Sequence, residues 1–224
     1  MINKFQFIII FFIFLTLLIV HDQYAADKAS DYISKMTLEE KIGQIMFIGF
    51  QGNSLNSKNM NHLKKINPGG IVFYRRNFED ASDIPSLISI IKSITKNHYL
   101  PLFFAIDQEG GIVHRIKGEY YKPPSVPAIG AINSAEITRE VGLSVGNALR
   151  DLGININFAP VLDVPIDLLS SPMSRRSFSD NPKTVARLGT AYIKGLQDAG
   201  MLSTAKHFPG MGRTHEDSHH TLPR

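Results

Sequence analysis

The 224 residues are 43% apolar and 20% charged, the balance of a globular domain rather than of a disordered or fibrous chain. There is no cysteine, so disulfides and a lipid-bearing cysteine are both excluded. The net charge of +4 comes from scattered basic residues, and no basic run is interleaved with aromatics, which argues against a nucleic-acid partner.

In chain order, Lys4 precedes an apolar run from Phe7 to Val20 broken only by Thr16. The run is too short for a comfortable membrane span and fits the apolar region of a signal peptide. Residues 1–26 are therefore expected to be a signal peptide or an uncleaved N-terminal anchor. The protein is then exported, periplasmic or extracellular, with a membrane tether where the leader stays. From residue 27 to 224 the chain reads as one domain.

That domain alternates helix and strand. Thr37 and Glu40 form a capping box that opens a short helix, and Ile45 to Phe50 reads as a first strand. Asn56 to Ile66 is helical, Asn67-Pro68-Gly69-Gly70 breaks it, and Ile71 to Tyr74 is a second, buried strand. Ala81 to Lys96 has helical periodicity, and Pro101 to Ile106 is a third strand. Ser134 caps a helix running to about Leu152, and Ile154 to Val164 reads as a fourth strand. Asn181-Pro182 starts a helix ending near Gly200, with proline at its favoured first position, and Met201 to Ala205 is a fifth strand.

Strands separated by helices imply an α/β fold with a parallel sheet. Polar residues gather where these strands end: Arg75-Arg76 after the second, Asp107-Gln108-Glu109-Gly110-Gly111 after the third, Asp163 after the fourth, Lys206-His207 after the fifth. Both a barrel and a doubly wound open sheet place ligands there, and periodicity does not separate the two. No G-x-G-x-x-G is present, which excludes the dinucleotide fingerprint.

The densest chemistry lies at the end, in KHFPGMGRTHEDSHHTLPR, residues 206–224. Asp217 and His219 are two apart, so in an extended segment their side chains point the same way. The carboxylate can hold the imidazole in one tautomer and raise its basicity, giving a group that both donates and accepts a proton near neutral pH. His220 faces the other way. The third-strand segment IDQEGGIVHR, residues 106–115, ends in a carboxylate able to accept from two adjacent hydroxyls, and Gly110 and Gly111 permit a tight turn.

These segments resemble the β-N-acetylhexosaminidases of glycoside hydrolase family 3. KHFPG-x-G followed by DSH is similar to that family's acid/base loop, DQEGG-x-V-x-R to its sugar-binding strand end, and SRRSFSDNP, residues 174–182, to its RSF segment. The resemblance implies a TIM (β/α)8 barrel, of which this chain supplies about the first five βα units. It also implies that His219 is the general acid/base with Asp217 as its partner, and that Asp107, Arg115, Arg176, Lys206 and His207 bind the sugar. Asp163 matches a family position near the site, as ligand or as structural support. The family usually has histidine where this chain has Met211. The KHFPG-to-DSH loop argues against the family's β-glucosidase branch.

By resemblance the reaction is hydrolysis of terminal β-linked N-acetylglucosamine by a retaining double displacement, in cell-wall peptidoglycan or chitin-oligomer turnover, with no cofactor and no metal. The family's nucleophile is an aspartate on a later strand, and an eight-stranded barrel takes about 250 residues. The chain is thus expected to be the N-terminal piece of a barrel whose C-terminal half is supplied elsewhere. Two rival readings are an inactive fragment that only binds sugar or complements a separate C-terminal chain, and a zinc site built from His207, His215, Asp217 and His219.

Overall fold

A computed structural model of the chain describes residues 28–95, 100–116, 120–168, 171–214 and 216. The apolar run at 7–20 and the Asp217/His219 pair lie outside the described residues. Among the described residues no helix is long and apolar enough to cross a membrane.

Helix α1 occupies residues 28–35 and is followed by α2, Leu38–Gln44. The capping box forms as expected, with Glu40 N donating to the Thr37 hydroxyl at 3.2 Å and Thr37 N donating to the Glu40 carboxylate at 2.8 Å. Strand β1 is Phe47–Ile48, α3 is Ser57–Ile66 and β2 is Gly70–Phe73. The Asn56 side chain caps α3, and Asn67 ends it in the left-handed region at φ 50°, ahead of a proline that cannot continue a helix. A 3-10 turn over Arg75–Asn77 leads to α4, Asp83–Ile94, and then β3, Phe103–Ile106. Helices α5, Val126–Ile132, and α6, Ala135–Asp151, precede β4, Ile156–Asn157. Helix α7, Pro182–Asp198, leads to β5, Leu202–Ser203, and its N-cap Asn181 accepts from Lys183 N and Thr184 N.

All five strands are parallel, in the order β1-β2-β3-β4-β5. An order without reversal has no switch point, so the doubly wound alternative falls and the singly wound, barrel-type arrangement stands. One face of the sheet, carrying Ile71, Phe73, Phe104 and Ile106, packs under the helices with Leu63, Ile84, Ile91, Leu149, Leu188 and Tyr192 in one continuous core. The other face carries a separate small cluster of Val72, Ala105 and Ile156 that includes no helix residue. Helices α6 and α7 touch through glycine. A Cβ on Gly195 would sit 2.1 Å from the Arg139 carbonyl oxygen, and one on Gly142 would sit 2.4 Å from that of Tyr192.

The fourth strand is shorter than its apolar run suggested. Its ladder covers only Ile156 and Asn157: Pro160 has no N–H to donate, and beyond it contact with the β5 end is the bridge of Val161 with Lys206, closed by Lys206 N to the Pro160 carbonyl and Leu162 N to the Lys206 carbonyl. Helix α5 was not anticipated; Ser125 caps it and Pro127 lies in its first turn, where a missing N–H is harmless.

Candidate active site

Side chains on β3 alternate, so Asp107 continues the inner-face set of Phe103 and Ala105, and Glu109 follows two residues on. Gln108 points elsewhere and is buried. Its backbone N–H donates to Asn157 Oδ1 at 3.0 Å and its carbonyl accepts from Asn157 Nδ2 at 2.9 Å, locking the ends of β3 and β4 together. Its side-chain oxygen accepts from Arg115 N at 2.9 Å. The turn that follows needs positive φ at Gly110 (97°) and Gly111 (61°), and Glu109 N and Gly110 N both donate to the Val113 carbonyl.

Lys206 leaves β5 beside this turn. Its Nζ lies 2.7 Å from Asp107 Oδ1 and 2.6 Å from Glu109 Oε1. Glu109 is deeply buried, its side chain 1% exposed. It also takes Arg176 as a two-pronged pair, Nη2 to Oε1 at 2.7 Å and Nε to Oε2 at 2.9 Å. Arg176 Nη2 lies 3.5 Å from His207 Nε2, and His207 Nδ1 lies 2.6 Å from Asp163 Oδ2. One line of contacts thus runs Asp107, Lys206, Glu109, Arg176, His207, Asp163 across the ends of three strands.

Asp163 is buried and accepts four hydrogen bonds. His207 N (3.2 Å) and His207 Nδ1–H reach Oδ2, while Met211 N and Gly212 N (3.2 Å) reach Oδ1. Burial pushes its carboxyl up, but these hydrogen bonds, the His207 side chain first, outweigh it and hold it below the usual carboxylate range. Because the carboxylate accepts at Nδ1, the ring presents Nε2 as an acceptor. The loop also uses the backbone of Met211 rather than its side chain, so the replacement of the family's histidine leaves this anchorage intact. Burial works against the charge on Arg176, yet the pairing with Glu109, aided by Asp163 and Asp107, leaves its pKa raised.

Chemically this is a cluster with bonding capacity left over. Two of the three Lys206 protons are used. Asp107 Oδ2 lies 3.9 Å from Arg115 Nη2, beyond hydrogen-bond length, and can accept. Donors and acceptors fixed within one rim suit a polyhydroxylated ring carrying an amide.

Of the seven residues expected from sequence, the structure brings together Asp107, Arg176, Lys206 and His207, with Arg115 at the edge. Asp217 and His219 lie outside the described residues, as does His215 of the zinc alternative. Among the described residues no three His, Cys, Asp or Glu side chains gather as a metal-ligand set. Phe178 is core, 4% exposed, and Arg175 is exposed. Sequence reasoning passed over Glu109. One local sign was present, a second carboxylate at i+2 from Asp107 on the same side of a strand end, while the two cations it pairs with lie far away in sequence.

The chain from residue 37 to 224 matches the glycosyl hydrolase family 3 N terminal domain. Beta-hexosaminidase A of Pseudoalteromonas piscicida is 39% identical over 168 residues, covering 72% of this chain and 28% of that protein. Beta-hexosaminidase of Photobacterium profundum is 35% identical over 173 residues, 77% of this chain and 50% of that one. The chain therefore spans half or less of the length of these two relatives. Among solved structures, a glycoside hydrolase family 3 β-N-acetylglucosaminidase from Paenibacillus superposes with a TM-score of 0.79 at 39% identity, covering 84% of this chain and 36% of that one. NagZ from Neisseria gonorrhoeae, in complex with N-trifluoroacetyl-D-glucosamine, gives 0.71 at 33% identity, covering 81% and 54%. With its parallel, singly wound sheet and its polar strand-end rim, the chain belongs to glycosyl hydrolase family 3, of which it is an N-terminal, TIM-barrel-type domain.

Proposed function

We propose that this chain carries the sugar-binding half of a retaining β-N-acetylhexosaminidase acting on terminal β-linked N-acetylglucosamine, in peptidoglycan or chitin-oligomer turnover. The observation that carries the reading is the Asp107–Lys206–Glu109–Arg176–His207–Asp163 line, which presents Asp107 Oδ2, a Lys206 proton and His207 Nε2 at one rim. The relatives' names supply the substrate class.

Asp107 and Lys206 take ring hydroxyls, and Arg115 closes the same edge. Arg176 and His207 bracket the position suited to the N-acetyl group. His219, held by Asp217, gives its proton to the leaving oxygen while a carboxylate from a later barrel strand, outside these 224 residues, attacks the anomeric carbon. In the second step His219 takes a proton from the water that displaces that carboxylate. Residues 1–26 direct export, by a cleaved signal or a retained anchor, and residues 27–224 act as one domain.

The test has two arms. The 224-residue chain should bind N-acetylglucosamine saturably and lose that binding in Lys206→Met. A chain carrying the remaining strands should hydrolyse a chromogenic β-N-acetylglucosaminide, with His219→Ala lowering kcat by about 10²- to 10⁴-fold. Absence of sugar binding, or full activity in His219→Ala, would sink the reading.

A further inference from the structure

Three features together single out Glu109 from the other carboxylates of the rim. Its side chain is 1% exposed, as deep as Asp163 at 0% and unlike Asp107 at 20%. Both its oxygens are engaged by protein cations, Oε1 by Lys206 Nζ at 2.6 Å and Arg176 Nη2 at 2.7 Å, and Oε2 by Arg176 Nε at 2.9 Å. It is also the one group among the described residues that joins the β3 end to both the segment before α7 and the β5 end.

We propose that Glu109 is a positioning residue, a buried counter-ion shared by Lys206 and Arg176 that sets both cations before the sugar arrives. The proposal rests on the reading of this rim as a sugar site. Glu109 does not touch the ligand, because its side chain is almost wholly shielded from the rim. It acts through its two partners.

The electrostatics explain why one carboxylate should do this. Lys206 and Arg176 meet at a single oxygen, so two like charges stand within a few ångströms in a poorly solvated place, where repulsion is weakly screened. Glu109 offsets that repulsion and fixes the separation. Lys206 has a second carboxylate, Asp107, but Asp107 must turn its oxygens to sugar hydroxyls. Glu109 keeps Lys206 in place while Asp107 changes partner. The guanidinium has no second carboxylate in contact among the described residues; its remaining neighbours are His207 Nε2 at 3.5 Å and Met173 Sδ at 3.7 Å. The fully buried Tyr192 phenol responds to the same charge, its pKa raised by burial first, then by Tyr121 and Glu109.

Two readouts test this on the intact chain. The first needs no sugar: the rate of reductive methylation of Lys206, followed by peptide mass spectrometry, with the exposed Lys183 as internal reference. Glu109→Gln should speed modification of Lys206 by about tenfold relative to Lys183, as expected on releasing one partner of a buried ion pair. The second is a double-mutant cycle on N-acetylglucosamine affinity. Glu109→Gln and Lys206→Met should each weaken binding by about tenfold or more, and the double variant by little beyond either single. A merely structural role would give losses that multiply.

Unchanged Lys206 labelling, or multiplicative losses, would overturn the proposal. If Glu109→Gln does not fold, Glu109→Asp keeps the charge but is one methylene too short to hold both cations, and Lys206 labelling in it should rise. A chain that unfolds even in Glu109→Asp marks a requirement of the fold and overturns a positioning role. Labelling that responds in a chain that binds no sugar would leave the counter-ion standing and remove the sugar-site reading.

Discussion

Phe103 and Phe104 are neighbours on β3 and stand on opposite faces of the sheet, and they live in different molecules as far as water is concerned. Phe104 is 1% exposed and stacks on Phe73 at 6.1 Å beneath the helices, whereas Phe103 is 40% exposed and stacks on Phe47 at 6.0 Å across Gly70. The contrast recurs at the sheet's margins, although Val72, Ala105 and Ile156 at the middle of the inner face are covered. Ile71, Phe73 and Ile106 on the helix side are fully buried, while Phe47 and Leu202 on the other side are exposed like Phe103. The helix-facing side therefore holds this chain together. The inner side is an apolar surface whose edge strands β1 and β5 have no further partner among the described residues, as in part of a barrel interior, and the charged rim sits at its end.

The largest effect is expected where the packing is complete. Phe104→Ala should destabilise the chain by about 3–5 kcal/mol, because it removes a ring from a core that cannot collapse around the hole. Denaturant unfolding reads this directly, and a loss near that of a surface change would break the distinction between the faces. Next in size is Asp163→Ala. It leaves His207 N, Met211 N and Gly212 N without their acceptor and is expected to cost about 3 kcal/mol. Its pH signature is specific. A carboxyl depressed in the folded state stabilises above its unfolded pKa and loses that contribution as pH falls through the lower folded value. Wild type should accordingly weaken more steeply than Asp163→Asn below about pH 4, the unfolded carboxyl value.

Smaller still is Phe103→Ala, expected to cost about 1 kcal/mol in this chain, since much of the ring is already in water. The same substitution in a chain carrying the further barrel strands should approach the Phe104 value. That difference between the two backgrounds, measured side by side, is the sharpest test that the inner face is a surface meant to be covered.

Legibility in the sequence followed the range of each interaction. The caps at Thr37, Asn56, Ser134 and Asn181 depend on atoms three residues apart, and every one forms as the local pattern implies. Alternation and helical periodicity placed all five strands, but the length of β4 depends on a proline's missing donor acting against a partner strand, which apolarity alone does not report. Barrel and doubly wound sheet differ only in strand order, a long-range property invisible to periodicity. At the rim, Asp107, Arg176, Lys206 and His207 were readable from motif resemblance. Glu109 was marked only by its i+2 spacing from Asp107, because the cations it binds leave no trace in its own segment. Its partners lie 67 and 97 positions away, at Arg176 and Lys206.

The smallest effect comes from His114, on the turn that carries Glu109. Gln108 Oε1 accepts from Arg115 N, so its Nε2 must be the donor to His114 Nδ1 at 2.9 Å, and that arrangement admits only a neutral ring. Burial first, then the positive charges of Lys122 and Arg75, push the imidazole below its ordinary value, against a backbone hydrogen bond at Ile116. A histidine depressed in the folded state gives its stability in full above the unfolded pKa of about 6.5, and loses it as pH falls towards the folded value, because the unfolded chain then binds more protons. Thermal midpoints of the wild type should therefore drop between pH 7 and pH 5 with a slope of less than one proton per molecule, and His114→Asn should flatten that slope. An acid-dependent loss confined to the 108–115 turn would place this pH sensitivity of the chain at its rim. A slope that survives in His114→Asn would move it elsewhere.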